Sequence, residues 1–104
     1  MEKEFHKVAK TGDISEGQVK SFLVETEIIC ICNVGGNFYA FKDQCSHQEF
    51  PLSDGELEGE VIRCAYHGAE FNVKNGEALC MPAIEPIETF ELKIEDDEIY
   101  ISID

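Results

Sequence analysis

The 104-residue chain predicts an all-β fold, an antiparallel β-sandwich or partly closed barrel that carries a small loop-rich subdomain over about residues 42–82. Three observations lead there. Apolar and polar residues alternate over Thr89–Ile94 and Ile99–Ile103, the period of two that leaves a strand one buried and one wet face. Turn dipeptides, Gly35-Gly36 and Asn75-Gly76, separate short apolar runs. The one stretch with helical character, Asp13–Gln18, is too short to hold a helix.

Taken in order, Ile28–Val34 and Asn37–Phe41 are expected to pair as a hairpin across Gly35-Gly36, because glycine supplies the positive φ angles that tight hairpins need. Val61–Arg63 is read as a strand, and Ala69–Val73 as another that ends at Asn75-Gly76. The last two strands, Thr89–Ile94 and Ile99–Ile103, join across Asp96-Asp97. Between Lys42 and Pro82 the alternation fades, and glycines, turn residues, cysteines and histidines crowd together. The length suits one domain over residues 1–104.

Composition narrows the function. With 22 acidic and 8 basic side chains the formal charge is −14, which repels nucleic acid and anionic membranes and favours partners with basic patches. No run approaches the roughly 18 apolar residues of a membrane span, and Met1-Glu2-Lys3-Glu4 does not open a signal peptide. Five cysteines are an odd number for a disulfide framework. A soluble, cytoplasmic, monomeric protein is expected.

Two short pairs carry the chemistry: Cys45-Ser46-His47 and Cys64-Ala65-Tyr66-His67. Each joins one soft sulfur to one imidazole nitrogen. Zinc modules more often pair Cys with Cys and His with His, so the alternating order favours iron, although a zinc-binding interaction domain stays open on these residues alone. No nucleophile stands beside an assignable base, and there is no glycine-rich nucleotide loop and no 2-His-1-carboxylate pattern. An electron carrier is favoured over an enzyme.

These pairs, with Leu52-Ser53-Asp54-Gly55, Gly68-Ala69, Phe71, Gly76-Glu77 and Pro82-Ala83, resemble the Rieske-type [2Fe-2S] ferredoxins of bacterial aromatic-ring-hydroxylating dioxygenase systems over nearly the whole chain. The resemblance implies a Rieske-type fold with one [2Fe-2S] cluster, Cys45 and Cys64 on one iron and His47 and His67 on the other. It also implies a one-electron carrier between a flavin-containing NAD(P)H reductase and a terminal dioxygenase, docking by the His47/His67 tip. An alternative within the same fold is the small Rieske-like subunit of an NAD(P)H nitrite reductase. High-potential Rieske proteins are similar but carry Ser where Ala69 stands and Tyr where Phe71 stands, and add a cysteine to each ligand loop. Their absence implies a low-potential centre, since hydroxyl donors to cluster sulfur stabilise the reduced state.

The remaining candidates read as structural. Cys30 and Cys32 are expected to be small apolar core residues, Cys80 an unremarked thiol and His6 an exposed side chain. Gly68 is read as a close-approach glycine beside a ligand, and Asp54-Gly55 as an ordinary turn. Pro82 is similar to the proline loop that covers the cluster in this family. Glu56–Glu60 and Glu95–Glu98 are expected to be solvated turns and edges.

Overall fold

The computed structural model describes residues 4–44, 52–65, 68–80 and 86–103. Its strands are β1 (His6–Lys10), β2 (Val19–Val24), β3 (Glu27–Val34), β4 (Asn37–Lys42), β5 (Glu56–Glu58), β6 (Val61–Arg63), β7 (Glu70–Asn72), β8 (Ala78–Cys80), β9 (Thr89–Glu95) and β10 (Glu98–Ser102). Among the described residues the only helical turns are 3-10, at Thr11–Asp13 and Leu52–Asp54. No helix among the described residues is long and apolar enough to cross a membrane.

Six strands pair antiparallel in the order β1-β10-β9-β4-β3-β2, and the other four in the order β5-β6-β7-β8. The larger sheet curls until its edge strands β1 and β2 come into contact, which gives a nearly closed barrel. At this seam His6 Nε2 lies 3.4 Å from Glu25 Oε1. His6 is therefore half-buried and paired rather than exposed as expected, because closure of the barrel brings it to the β2–β3 turn. The expected hairpins are present: Gly35 and Gly36 turn β3 into β4 with φ of +59° and +94°, and Asp96 and Asp97 turn β9 into β10 with φ of +52° and +63°.

Strands β1 and β2 answer to no clean alternation. Ala9 and Ile101 are buried while β1 shifts register between Lys7 and Ala9, and in β2 the consecutive Phe22-Leu23-Val24 breaks the period of two. Leu23 is 71% exposed and Val24 only 4%. The middle of the chain, expected to be loop-rich, also holds more strand than predicted. Glu56–Glu58 is an edge strand whose glutamates face solvent around the half-buried Leu57; such charges on an edge discourage pairing with another chain.

The run Ile29-Cys30-Ile31-Cys32 is buried on both faces, as the uninterrupted apolar stretch requires. Ile29 and Ile31 point into the barrel with Ile14, Val24, Ala40, Ile99 and Ile101. Cys30 and Cys32 point the other way, against Phe41, Leu52, Ile62, Phe71 and Val73. Both thiols act as small apolar groups in the seam between the sheets, as the sequence predicted.

This burial has a consequence for alkaline stability. Burial pushes the Cys32 thiol from its ordinary 9.0 up to about 12, so above pH 9 the unfolded chain loses a proton that the folded chain keeps. Stability is then full below pH 9 and falls as pH rises towards 12, by about 1.4 kcal/mol per pH unit from this thiol. Denaturant titrations across that window are expected to show a shallower decline for Cys32→Ala than for the parent chain. Equal slopes would refute the assignment.

Candidate metal centre

The register of the small sheet decides where the ligand segments leave it. Glu56 pairs with Arg63, Arg63 with Glu70, and Glu70 with Cys80, so these four residues form one row across the sheet. Antiparallel order then sends the chain before Glu56, after Arg63, before Glu70 and after Cys80 out of the same end. Among the described residues, those stretches contain Leu52–Gly55, Cys64 and Gly68-Ala69. The row thus gathers four strand ends at one end of the small sheet.

Of the four expected ligands, Cys64 is described; Cys45, His47 and His67 lie outside the described residues, as does Pro82. Cys64 is 1% exposed and packs in the core cluster with Cys30, Phe41, Leu52, Ala69 and Phe71. Its amide N–H donates to the Ala69 carbonyl at 2.7 Å, and Gly68 N–H donates to the Cys64 carbonyl at 3.1 Å. These two bonds close the base of the second ligand loop. Cys80 belongs to β8 by its backbone.

The first ligand segment leaves from β4. Asp43 N–H donates to the Ile28 carbonyl at 3.0 Å, extending the β3–β4 ladder to the last residues before the segment. Asp43 Oδ1 accepts from Ser53 N–H at 2.7 Å, and Oδ2 accepts from the Ser53 hydroxyl at 2.8 Å. Ser53 sits in the 3-10 turn that follows the segment, with Leu52 fully buried beneath it. Burial raises the Cys30 thiol pKa, and the negative charge of the Asp43 carboxylate raises it further. Sequence reasoning missed Asp43; its only local signal is a carboxylate just before a ligand pair.

Gly55 closes the Leu52–Asp54 turn, as expected, and is also tightly packed. A Cβ on Gly55 would run into the Arg63 carbonyl oxygen and lie 3.1 Å from the Leu52 carbonyl, so Gly55 is the close-approach residue. It lets the end of the first ligand segment pack directly on the residue before Cys64. Gly68 has φ of +74°, and a Cβ there would meet nothing within 4 Å among the described residues. Its left-handed backbone by itself favours glycine.

The donor set fits a [2Fe-2S] centre. Thiolate and imidazole suit iron–sulfur ligation, and Cys64, the described member of the expected set, is buried among apolar side chains with Ala69 and Phe71, both 0% exposed. Neither of these two has a hydroxyl. Among the described residues no group of three or more His, Cys, Asp or Glu side chains is placed to hold a metal elsewhere.

Comparison with known proteins agrees with this geometry. Residues 4–91 match the Rieske [2Fe-2S] domain. The chain is 40% identical to the ferredoxin component of biphenyl 2,3-dioxygenase from Rhodococcus jostii (strain RHA1), over 94% of this chain and 92% of that protein. It is 39% identical to the 3-phenylpropionate/cinnamic acid dioxygenase ferredoxin subunit of Shigella flexneri serotype 5b (strain 8401), over 88% of this chain and 87% of that one. A chain from the complex of reduced oxygenase and oxidized ferredoxin in carbazole 1,9a-dioxygenase superposes with a TM-score of 0.90 at 32% identity, covering 97% of this chain and 94% of that chain. The zinc reading falls with these matches. A buried cysteine at the end of a small sheet, in an all-β chain that matches this domain over residues 4–91, therefore has a plain meaning: this chain belongs to the Rieske [2Fe-2S] family, among the ferredoxin components that carry electrons in dioxygenase systems.

Proposed function

We propose that this protein takes single electrons from an NAD(P)H-dependent flavin reductase and passes them to the terminal oxygenase of an aromatic-ring dioxygenase. Cys45 and Cys64 hold one iron and His47 and His67 the other. The observation that supports the reading is the row Glu56, Arg63, Glu70 and Cys80, which brings Gly55 and the buried Cys64 to the same end of the small sheet. When bound, the cluster supplies reversible one-electron transfer. The chain's own contribution is to bury Cys64 away from water and to close the roots of the ligand loops with backbone bonds. The relatives serve biphenyl and phenylpropionate or cinnamate dioxygenases, and an aromatic substrate for the system this carrier feeds is the matching choice. Cytoplasmic placement suits the flavin reductase and the unpaired Cys30 and Cys32 thiols.

The centre is proposed to have a low potential. Ala69 and Phe71 are fully buried beside Cys64 and can donate no hydroxyl hydrogen bond to a cluster sulfur. A redox titration is expected to give a midpoint on the order of −150 mV. A value above zero would overturn this. The charge of −14 steers docking onto basic faces of the partners, so electron transfer to reductase and oxygenase should slow as ionic strength rises. The test of the whole reading is the purified protein reduced with dithionite: a Rieske-type electron paramagnetic resonance signal supports it, and a colourless, silent protein refutes it.

A further inference from the structure

We propose that Asp43 is a positioning residue for the cluster: its carboxylate ties together the two ends of the segment that carries Cys45 and His47, and holds a negative charge beside that segment. The inference rests on the reading that Cys45 and His47 are ligands. Asp43 stands two residues before Cys45, and Ser53 lies beyond His47 on the far side of the segment. One carboxylate accepts both the Ser53 amide and the Ser53 hydroxyl, at 2.7 and 2.8 Å, one bond on each of its oxygens.

Each anchor is itself fixed. Asp43 is held to β3 through the Ile28 carbonyl, and Ser53 follows the fully buried Leu52. One donor on each carboxylate oxygen fixes the orientation of the group as well as its position. Joining the two ends of a loop lowers the entropy lost when ligands within it are brought to a common centre. Residues that hold ligands in place in this way typically matter about 10- to 100-fold for metal retention. The charge acts separately. Reduction adds negative charge to the cluster, and a half-buried carboxylate at the root of a ligand segment is screened less than the surface glutamates, so it favours the oxidised state.

Three variants separate the bridge from the charge. In Asp43→Asn the side-chain oxygen can still accept from the Ser53 amide and the new amide can donate to the Ser53 oxygen, so the bridge survives while the charge is lost. Its cluster should persist like the parent's, with the midpoint shifted upwards. Ser53→Ala keeps the charge and removes the hydroxyl bond; cluster loss, followed by the decay of visible absorption under a chelator, should quicken several-fold at an unchanged midpoint. Asp43→Ala removes both and should lose its cluster about tenfold faster or more, with an altered resonance signal.

Parent-like retention and signal in Asp43→Ala would overturn the bridging role. If that variant never loads a cluster, Ser53→Ala decides: decay at the parent's rate overturns the proposal, and faster decay supports it. An unmoved midpoint in Asp43→Asn overturns the role of the charge. The ligand reading fails differently, since the parent protein would then show no Rieske signal at all.

Discussion

Replacing Cys64 by alanine is expected to abolish the visible absorption and the Rieske resonance completely while leaving the strands in place. The side chain is 1% exposed and packed among Phe41, Leu52, Ala69 and Phe71, an environment that tolerates a small apolar substitute better than a hydroxyl. On the proposed ligand set, loss of the Cys64 sulfur would leave three protein ligands, too few to hold a [2Fe-2S] centre. The companion is Cys32→Ala, a cysteine of equal burial in the same cluster, which should remain coloured. Far-ultraviolet circular dichroism reports the fold and visible absorption the centre. A coloured, resonance-active Cys64→Ala protein would remove Cys64 from the ligand set.

Phe71→Ala is expected to cost about 3–5 kcal/mol, a large share of the 5–15 kcal/mol that holds a typical domain together. Phe71 is fully buried in β7, pairs across the sheet with Ile62 and packs against the same cluster as Cys30, Cys32 and Cys64. Removing the ring leaves a cavity in the seam between the two sheets. For a domain of this size the loss corresponds to a fall in Tm of at least about 12 °C. Leu23→Ala offers the contrast, since Leu23 is 71% exposed and its truncation should change stability by no more than about 0.5 kcal/mol. A Phe71→Ala protein within 1 kcal/mol of the parent, as an order of magnitude for a peripheral site, would mean that the seam does not hold the sheets together.

Much of the architecture was legible because it is local. Alternation over Thr89–Ile94 and Ile99–Ile103 revealed β9 and β10, and Gly35-Gly36 revealed the β3–β4 hairpin. Strands β1, β2, β5 and β8 were not legible. They are short or carry side chains whose burial depends on which sheet they join. Val24 is buried by the barrel interior, whereas Leu23, opposite Ile28, meets solvent. Nothing within residues 19–24 distinguishes those two leucine-like neighbours.

The site divides in the same way. Cysteine and histidine can be read as metal-capable from their chemistry, and the hydroxyl-free Ala69 and Phe71 from their identity. Asp43 could not be, because its partner Ser53, ten residues away, is brought to it by the fold. The contrasting parts of Gly55 and Gly68 were equally hidden: one glycine is required by the Arg63 carbonyl across a strand pair, the other by its own φ.

By itself, then, the sequence determined an all-β chain of strongly acidic charge with two Cys/His pairs, since side-chain chemistry and a period of two are properties of neighbouring residues. Only the tertiary structure decided that Glu56, Arg63, Glu70 and Cys80 share a row, that β3 is buried on both faces, and that a carboxylate spans the root of the first ligand segment. The physical reason is register: which residues face one another across antiparallel strands is set by the burial of whole sheet faces against each other, and no short stretch of chain contains that information.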